Sequence, residues 1–106
     1  MFEVEFSQEA KEDLSRLFDA ILDRELNSET GDPSLPAQAI GTIEVSISFL
    51  KHSPFSCRKA GDGHDPLLRE LIIDFGRTGY VALFKIMDRQ RVLILALRHQ
   101  LEDDYH

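Results

Sequence analysis

The first part of the chain shows two hydrophobic periods in succession. The segment FEVEF places Phe2, Val4 and Phe6 at every second position, which predicts a short half-buried strand. Ser7 then provides a helix N-cap. Beyond it, apolar residues recur at spacings of three and four, which predicts one stripe on a helix of roughly five turns. The stripe consists of Ala10, Leu14, Leu17, Phe18, Ile21, Leu22 and Leu26. Glu9, Glu12 and Asp13 lie near the start of this helix, where its dipole favours negative charge.

The next apolar segment, from about Pro36 to Leu50, fits two periods equally well. Ile40, Ile43, Ile47 and Leu50 have helical spacing, whereas Ile43, Val45, Ile47 and Phe49 alternate as in a strand. Pro36 suits a first helical turn, and the two alanines that follow it favour helix. We therefore predict a second helix that begins near Pro36.

The second half of the chain predicts a loop and three consecutive strands. The loop KHSPFSCRKAGDGHDP is followed by LLRELIIDF, GYVALFKIM and RVLILALR, which are rich in β-branched and aromatic residues. The connections GRTG and DRQ are short enough for hairpins. The order β-α-α-β-β-β predicts an α+β fold in which two helices pack on one face of an antiparallel sheet. We expect one domain over residues 1–106.

Charge is distributed unevenly along the chain. The net charge of −7 divides into −8 over residues 1–50, +4 over 51–98 and −3 over the last eight residues. This distribution excludes a uniformly basic nucleic-acid binder but allows a local basic face. The single cysteine, Cys57, excludes an internal disulfide framework and fits a reducing compartment. With no apolar run of membrane-spanning length and no basic cluster at the start, we expect a cytoplasmic protein that does not bind membranes.

Alternation sorts the strand residues onto two faces of the predicted sheet. In the second-last strand, one face would carry Tyr80, Ala82, Phe84 and Ile86. In the last strand, the aligned residues would be Val92, Ile94, Ala96 and Arg98. The consecutive residues Arg98, His99 and Gln100 would then form a polar edge where the last strand ends. Scattered basic residues such as Lys85, Arg89 and Arg91 are equally well explained as solubilising edge charges.

Two other motifs are incomplete as ligand-binding sites. Asp62, His64 and Asp65 in GDGHDP are metal-ligand types, but no second cluster completes a coordination shell. The segment FGRTGY lacks the Gly-Lys-Ser/Thr ending of a phosphate loop. We therefore expect neither a metal nor a cofactor.

The element order and the spans LLRELIIDFGRTGYVALFKI and VLILALRHQLEDDY together resemble the ParE/RelE superfamily of type II toxin–antitoxin toxins. The resemblance covers almost the whole chain, is strongest from Leu67 to Tyr105, and points to the plasmid-stabilisation, ParE-like branch. It implies a cytoplasmic toxin that a small cognate antitoxin neutralises. ParE-like members poison DNA gyrase without a known reaction of their own, whereas RelE-like members cut mRNA on the ribosome.

The resemblance implies candidate catalytic residues if the chain is RelE-like. Arg98 would hold phosphate, His99 would act as acid or base, and Tyr105 would stack on a base, with Gln100 beside them. RelE-like toxins usually carry an arginine just after the hairpin GY, where this chain has Val81. The missing arginine and the net charge of −7 both count against the ribonuclease activity, and we rank the ParE-like activity above it chiefly because Val81 cannot stabilise a phosphorane. A ribonuclease and a non-toxic binding module remain the alternatives, so the sequence leaves open whether the chain is an enzyme.

The basic residues of the middle segment are candidates for binding the antitoxin. Antitoxin segments typically fold on binding, and opposite charges at the rim of such an interface mainly speed association. The candidates are Arg58, Arg69, Arg77 and Lys85, together with Lys59. We expect acidic residues of the antitoxin to face them, with apolar anchors between the helices and the sheet.

Overall fold

The computed structural model describes residues 1–102 and contains two helices and five strands. The helices are α1 (Gln8–Leu26) and α2 (Leu35–Ser48), and the strands are β1 (Glu3–Phe6), β2 (Arg58–Lys59), β3 (Leu68–Phe75), β4 (Thr78–Ile86) and β5 (Arg91–His99). A 3₁₀ turn at Phe49–Lys51 replaces the end of the predicted second helix, while a 3₁₀ turn at Pro54–Ser56 and the short β2 lie within the segment predicted as a loop. The predicted α+β class is confirmed.

The five strands form one mixed sheet in the order β1-β5-β4-β3-β2. The predicted antiparallel pairing is confirmed for β3, β4 and β5, and β2, which was not predicted, is also antiparallel to β3. The expectation of a wholly antiparallel sheet is wrong, because β1 pairs with β5 in parallel. A parallel pair needs a long crossover connection, and α1 and α2 lie in the chain between these two strands. The alternating pattern of β1 predicted the strand but could not reveal the direction of its partner.

Helix α2 confirms the helical interpretation of the ambiguous segment. Its buried residues are Pro36, Ala39, Ile43 and Ile47, which follow helical spacing. Val45, which the strand alternative would have buried with Ile43 and Ile47, is 73% exposed. The strand alternative is therefore wrong.

The core lies between the two helices and one face of the sheet. Ile43, Leu50, Phe84 and Ile94 are each 0% exposed within it. Ser7 caps α1 as predicted, because its Oγ accepts the Ala10 N–H at 3.1 Å. We call the opposite face of the sheet the outer face; it carries Glu70, Val81, Leu83, Lys85, Ala96 and Arg98.

Side chains complete the edge of β5 beyond the point where β1 ends. Ser7 Oγ donates to Leu95 O at 3.1 Å, and Asp13 Oδ2 accepts the Leu97 N–H at 2.9 Å. Arg16 Nη2 donates to Leu97 O at 3.3 Å. Helix α1 thus satisfies edge groups that a buried strand cannot leave without partners. Asp13 was predicted to lie near the start of the helix, and the structure shows in addition that it is buried, with only 4% of its surface exposed.

A bulge in β5 reverses the alternation that the sequence predicted. Ile94 pairs with Phe84 but Ala96 pairs with Leu83, so Leu95 is an extra residue. After the bulge, Leu97 joins the core and Arg98 lies opposite Val81 on the outer face. The expectation that Arg98 aligns with Val92 and Ile94 is therefore wrong, because one inserted residue moves every later side chain to the other face.

Candidate functional site at the end of the last strand

The β3–β4 hairpin shapes the end of the sheet where the polar run lies. Phe75 pairs with Thr78, which leaves a two-residue turn whose first residue, Gly76, has a φ of +63°. A positive φ at this first position is what a type II′ turn requires. The end of β5 is bound to this hairpin, because the Gln100 N–H donates to Gly79 O at 2.9 Å.

The Arg98 side chain holds the turn that follows β5. Its Nη1 donates to the carbonyl oxygens of His99, Gln100 and Glu102 at 3.3, 3.4 and 2.7 Å. Its Nη2 lies 4.0 Å from Glu70 Oε2, and the Arg98 side chain is only 14% exposed. The guanidinium is therefore engaged by backbone oxygens and one carboxylate of this chain.

His99 lies on the face of the sheet that the helices cover. It pairs with Tyr80 across the strands, and the two rings meet edge to face at 5.6 Å. His99 Nδ1 accepts the Leu101 N–H at 3.1 Å, and Nε2 lies 2.9 Å from Thr78 Oγ1. Because Nδ1 is an acceptor, the neutral imidazole carries its proton on Nε2 and donates it to the Thr78 hydroxyl.

The structure separates two of the four predicted catalytic residues. Arg98 and His99 are adjacent in sequence and lie on opposite faces of β5. The Gln100 backbone is bonded to the hairpin at Gly79. Tyr105 lies outside the described residues. The polar run is thus divided between two surfaces.

A cleft that the sequence did not predict lies on the helix side of the hairpin. We call it the hairpin cleft; its volume is about 290 Å³, and it is lined by Arg24, Leu35, Phe75, Gly76, Arg77, Thr78, Tyr80 and His99. Burial raises the pKa of the Tyr80 phenol, and the nearby Arg24 charge opposes that shift. Arg24 comes from α1 and Arg77 from the hairpin turn, so no sequence spacing could have linked them.

Three of the four predicted partner-binding residues have partners within the chain. Arg58 Nη2 lies 3.0 Å from Glu70 Oε1, and Lys85 Nζ lies 3.3 Å from Asp65 Oδ2. Arg69 donates to the carbonyl oxygens of Pro66, Phe55 and Cys57 at 2.9, 3.0 and 2.8 Å. Arg77 is exposed, and the structure gives its side chain no hydrogen bond or ion pair within residues 1–102. By register, Arg58 and Lys85 lie on the outer face whereas Arg69 pairs with Phe84 on the other face, so these four residues do not form one shared basic face.

The environment of Cys57 does not activate its thiol. Cys57 is 9% exposed. Burial raises the pKa of the Cys57 thiol, and the charge of Arg69 opposes this only in part. Since the thiolate is the reactive form, the buried thiol is a poor nucleophile near neutral pH.

The described residues offer neither a metal centre nor a membrane-spanning helix. Within residues 1–102, no group of three or more histidine, cysteine, aspartate or glutamate side chains is arranged to hold a metal ion. In the GDGHDP loop, Asp62 Oδ1 accepts the His64 N–H at 2.8 Å, which is a local turn contact. None of the helices in this part of the chain is long and apolar enough to cross a bilayer.

Glu102 makes the turn after β5 sensitive to acid. Partial burial raises the pKa of its carboxyl, but the His99 N–H and Arg16 outweigh this and hold the pKa below its ordinary value of 4.5. A carboxyl whose pKa is lower in the folded state stabilises that state at pH values above its ordinary, unfolded pKa. This stabilisation is lost as the pH falls through the pKa of the folded state. We predict that the turn loosens below pH 4.5.

The His99 amide resonance reports this acid transition directly, because its N–H donates to Glu102 Oε1 at 3.0 Å. The Gln100 N–H, which donates to a backbone oxygen, serves as the internal control. In a Glu102→Gln variant, the change of the His99 amide shift with falling pH should disappear. A His99 shift that persists in that variant would contradict the assignment to Glu102.

Comparison with known proteins agrees with the fold. Residues 4–104 match the family described as the ParE toxin of the type II toxin–antitoxin system, parDE. A solved structure described as the chromosomal ParDE TA system from P. aeruginosa is similar, with a TM-score of 0.71 and 17% identity over 93% of this chain and 96% of that one. No curated protein matches. Because the family match spans most of the sequence, the chain belongs to the ParE toxin family of type II toxin–antitoxin systems.

Proposed function

We propose that this protein is a cytoplasmic toxin that inhibits DNA gyrase and is neutralised by a cognate antitoxin. Membership of the ParE toxin family supports the toxin role. The gyrase target follows from the ParE-like resemblance of the spans from Leu67 onward. The proposal concerns inhibition through binding and includes no reaction catalysed by this chain.

The main observation that favours gyrase over mRNA as the target is that Arg98 is already bonded within the chain. RNA cleavage without a metal needs a cation that stabilises the charged phosphorane and groups that move two protons. Arg98 already donates to three carbonyl oxygens and faces Glu70, and its cross-strand neighbour is Val81. Moving Arg98 to a substrate phosphate would break the bonds that hold the turn after β5.

The position of His99 supports the same choice. Both ring nitrogens are engaged, one by the Leu101 N–H and the other by the Thr78 hydroxyl. Its ring also lies on the other face of the sheet from Arg98. An acid or base must reach the same substrate as the phosphate-holding cation, and this pair does not share a surface.

Induction of the gene in a bacterium that lacks the antitoxin tests the proposal. We expect filamentation with DNA-damage signalling, and purified protein should inhibit supercoiling by gyrase in a dose-dependent manner. A version with a stop codon at Glu12 controls for the burden of expression. Rapid arrest of translation with codon-dependent mRNA cuts would overturn the choice in favour of a RelE-like ribonuclease. Normal growth at full expression would favour a non-toxic binding module.

The antitoxin part of the proposal draws support from the charges near the hairpin. The similar P. aeruginosa structure is described as a ParDE system. Arg58 and Lys85 are paired within the chain, and Arg69 supports the loop that precedes β3. Arg77 is therefore the best-placed of the four to meet an acidic residue of a partner, and its charge should speed association in a salt-dependent way.

A further inference from the structure

We propose that the hairpin cleft is a binding site for a carboxylate side chain of a peptide, with an apolar neighbouring residue packed on the cleft wall. The proposal deepens the antitoxin part of the proposed function, since it names the chemistry by which a partner segment would be recognised. It rests on three hydrogen-bond donors, on the apolar walls and on the charges that surround the cleft.

Two arginines, from different elements, line the cleft. Arg24 Nε lies 3.0 Å from Glu25 Oε2, while the structure gives its Nη1 and Nη2 no partner within residues 1–102. Arg77 has no partner in the same part of the chain. Among the described residues, no acidic side chain lines the cleft. Glu25 offsets part of the Arg24 charge, and Arg77 adds a second positive charge to the lining, so the cleft favours an anion.

Thr78 adds a third donor. Its Oγ1 accepts a hydrogen bond from the His99 Nε2–H, since His99 Nδ1 itself accepts the Leu101 N–H. A hydroxyl has one proton to donate, so the Thr78 O–H is left to donate into the cleft. Because the His99 ring is bound at both nitrogens, this donor is held in place before any ligand arrives. Preorganisation of this kind lowers the cost of binding.

The walls of the cleft fit an amino-acid side chain together with an apolar neighbour. Phe75 and Tyr80 are 6.2 Å apart between ring centroids, and Leu35 completes an apolar side. A volume of about 290 Å³ is small for a drug-sized ligand but suits a side chain or two. A glutamate or aspartate beside a leucine would place its carboxylate at the arginines and its apolar neighbour on the rings.

The surrounding charge favours a peptide over a nucleic acid. Helix α1, which supplies Arg24, also exposes Asp19 and Asp23, and Glu25 follows Arg24 directly. A nucleic acid carries a phosphate at every nucleotide, so it would bring several charges close to these carboxylates. A single peptide carboxylate can bind within the cleft and brings no further negative charges close to these side chains. The net charge of −7 adds to the repulsion of a polyanion.

The test is an NMR titration of the full chain with two capped peptides, acetyl-Leu-Glu-Leu-amide and acetyl-Leu-Gln-Leu-amide. We expect the glutamate peptide to shift the Arg77, Thr78 and Leu101 amides in a saturable way, and the isosteric glutamine peptide to bind at least about fivefold more weakly. Arg77→Gln and Arg24→Gln should each weaken binding of the glutamate peptide by about fivefold. Arg89→Gln, which removes an exposed arginine from the β4–β5 turn, is the matched control and should leave binding unchanged.

Three results would overturn the assignment. Equal affinity for the glutamate and glutamine peptides would mean that charge is not recognised. Unchanged affinity in Arg77→Gln and Arg24→Gln would place the peptide elsewhere. Displacement of the peptide by inorganic phosphate at lower concentration than by acetate would assign the cleft to phosphate ligands. The titration needs neither gyrase nor toxicity, so its failure is distinguishable from a failure of the induction experiment.

Discussion

A Gly79→Ala variant should lose about 3 kcal/mol of unfolding free energy, with a fall in Tm of more than about 10 °C. A Cβ built at Gly79 would overlap the carbonyl oxygen of Ile73 and lie 3.0 Å from Gln100 Nε2. The obstructing oxygen belongs to the backbone of β3, so no side-chain rotation relieves the overlap. The two strands must separate at Asp74–Gly79, where they pair.

Gly41→Ala is the matched control for Gly79→Ala. Gly41 lies in α2, and a Cβ there meets no heavy atom within 4 Å. Alanine is the better helix former, so this variant should gain about 0.5–1 kcal/mol. Chemical denaturation of both variants measures the contrast. A Gly79→Ala protein as stable as the wild type would show that the hairpin can widen at little cost.

An Asp13→Ala variant should lose about 2–3 kcal/mol of unfolding free energy. Asp13 is 4% exposed, and its carboxylate accepts the Leu97 N–H at 2.9 Å. Alanine would leave that N–H without an acceptor beside the core, and an unsatisfied buried donor is costly. Arg16, whose Nε lies 3.9 Å from Asp13 Oδ1, would also lose a charge partner.

Two variants separate the hydrogen bond from other effects of changing Asp13. Asp13→Asn keeps an acceptor oxygen and should recover more than half of the loss. Asp19→Ala replaces an exposed aspartate of the same helix and should change stability by less than about 0.5 kcal/mol. Equal losses in Asp13→Ala and Asp19→Ala, measured by urea denaturation, would contradict the assigned role of the buried bond.

The local pattern of the sequence was sufficient to predict most of the secondary structure. Pro36 and the alanines that follow it decided an ambiguous period in favour of α2, and the alternation in residues 80–86 predicted the core face of β4. These predictions succeed because burial of one face repeats with the period of the element itself. The resemblance of the spans from Leu67 onward to the ParE/RelE superfamily also came from sequence alone, and the family match confirms it.

The sequence by itself determined the helices, the antiparallel strands and the family, because each depends on neighbours in the chain. Only the tertiary structure decided which surface each polar residue occupies. The extra residue Leu95 turned Arg98 away from His99, and a bulge has no signal in apolar alternation. The buried acceptor Asp13 and the presence of Arg24 and Arg77 in one cleft likewise depend on how α1 packs against the end of the sheet. Such contacts join residues far apart in sequence, whereas periodicity records only which face of its own element a residue occupies.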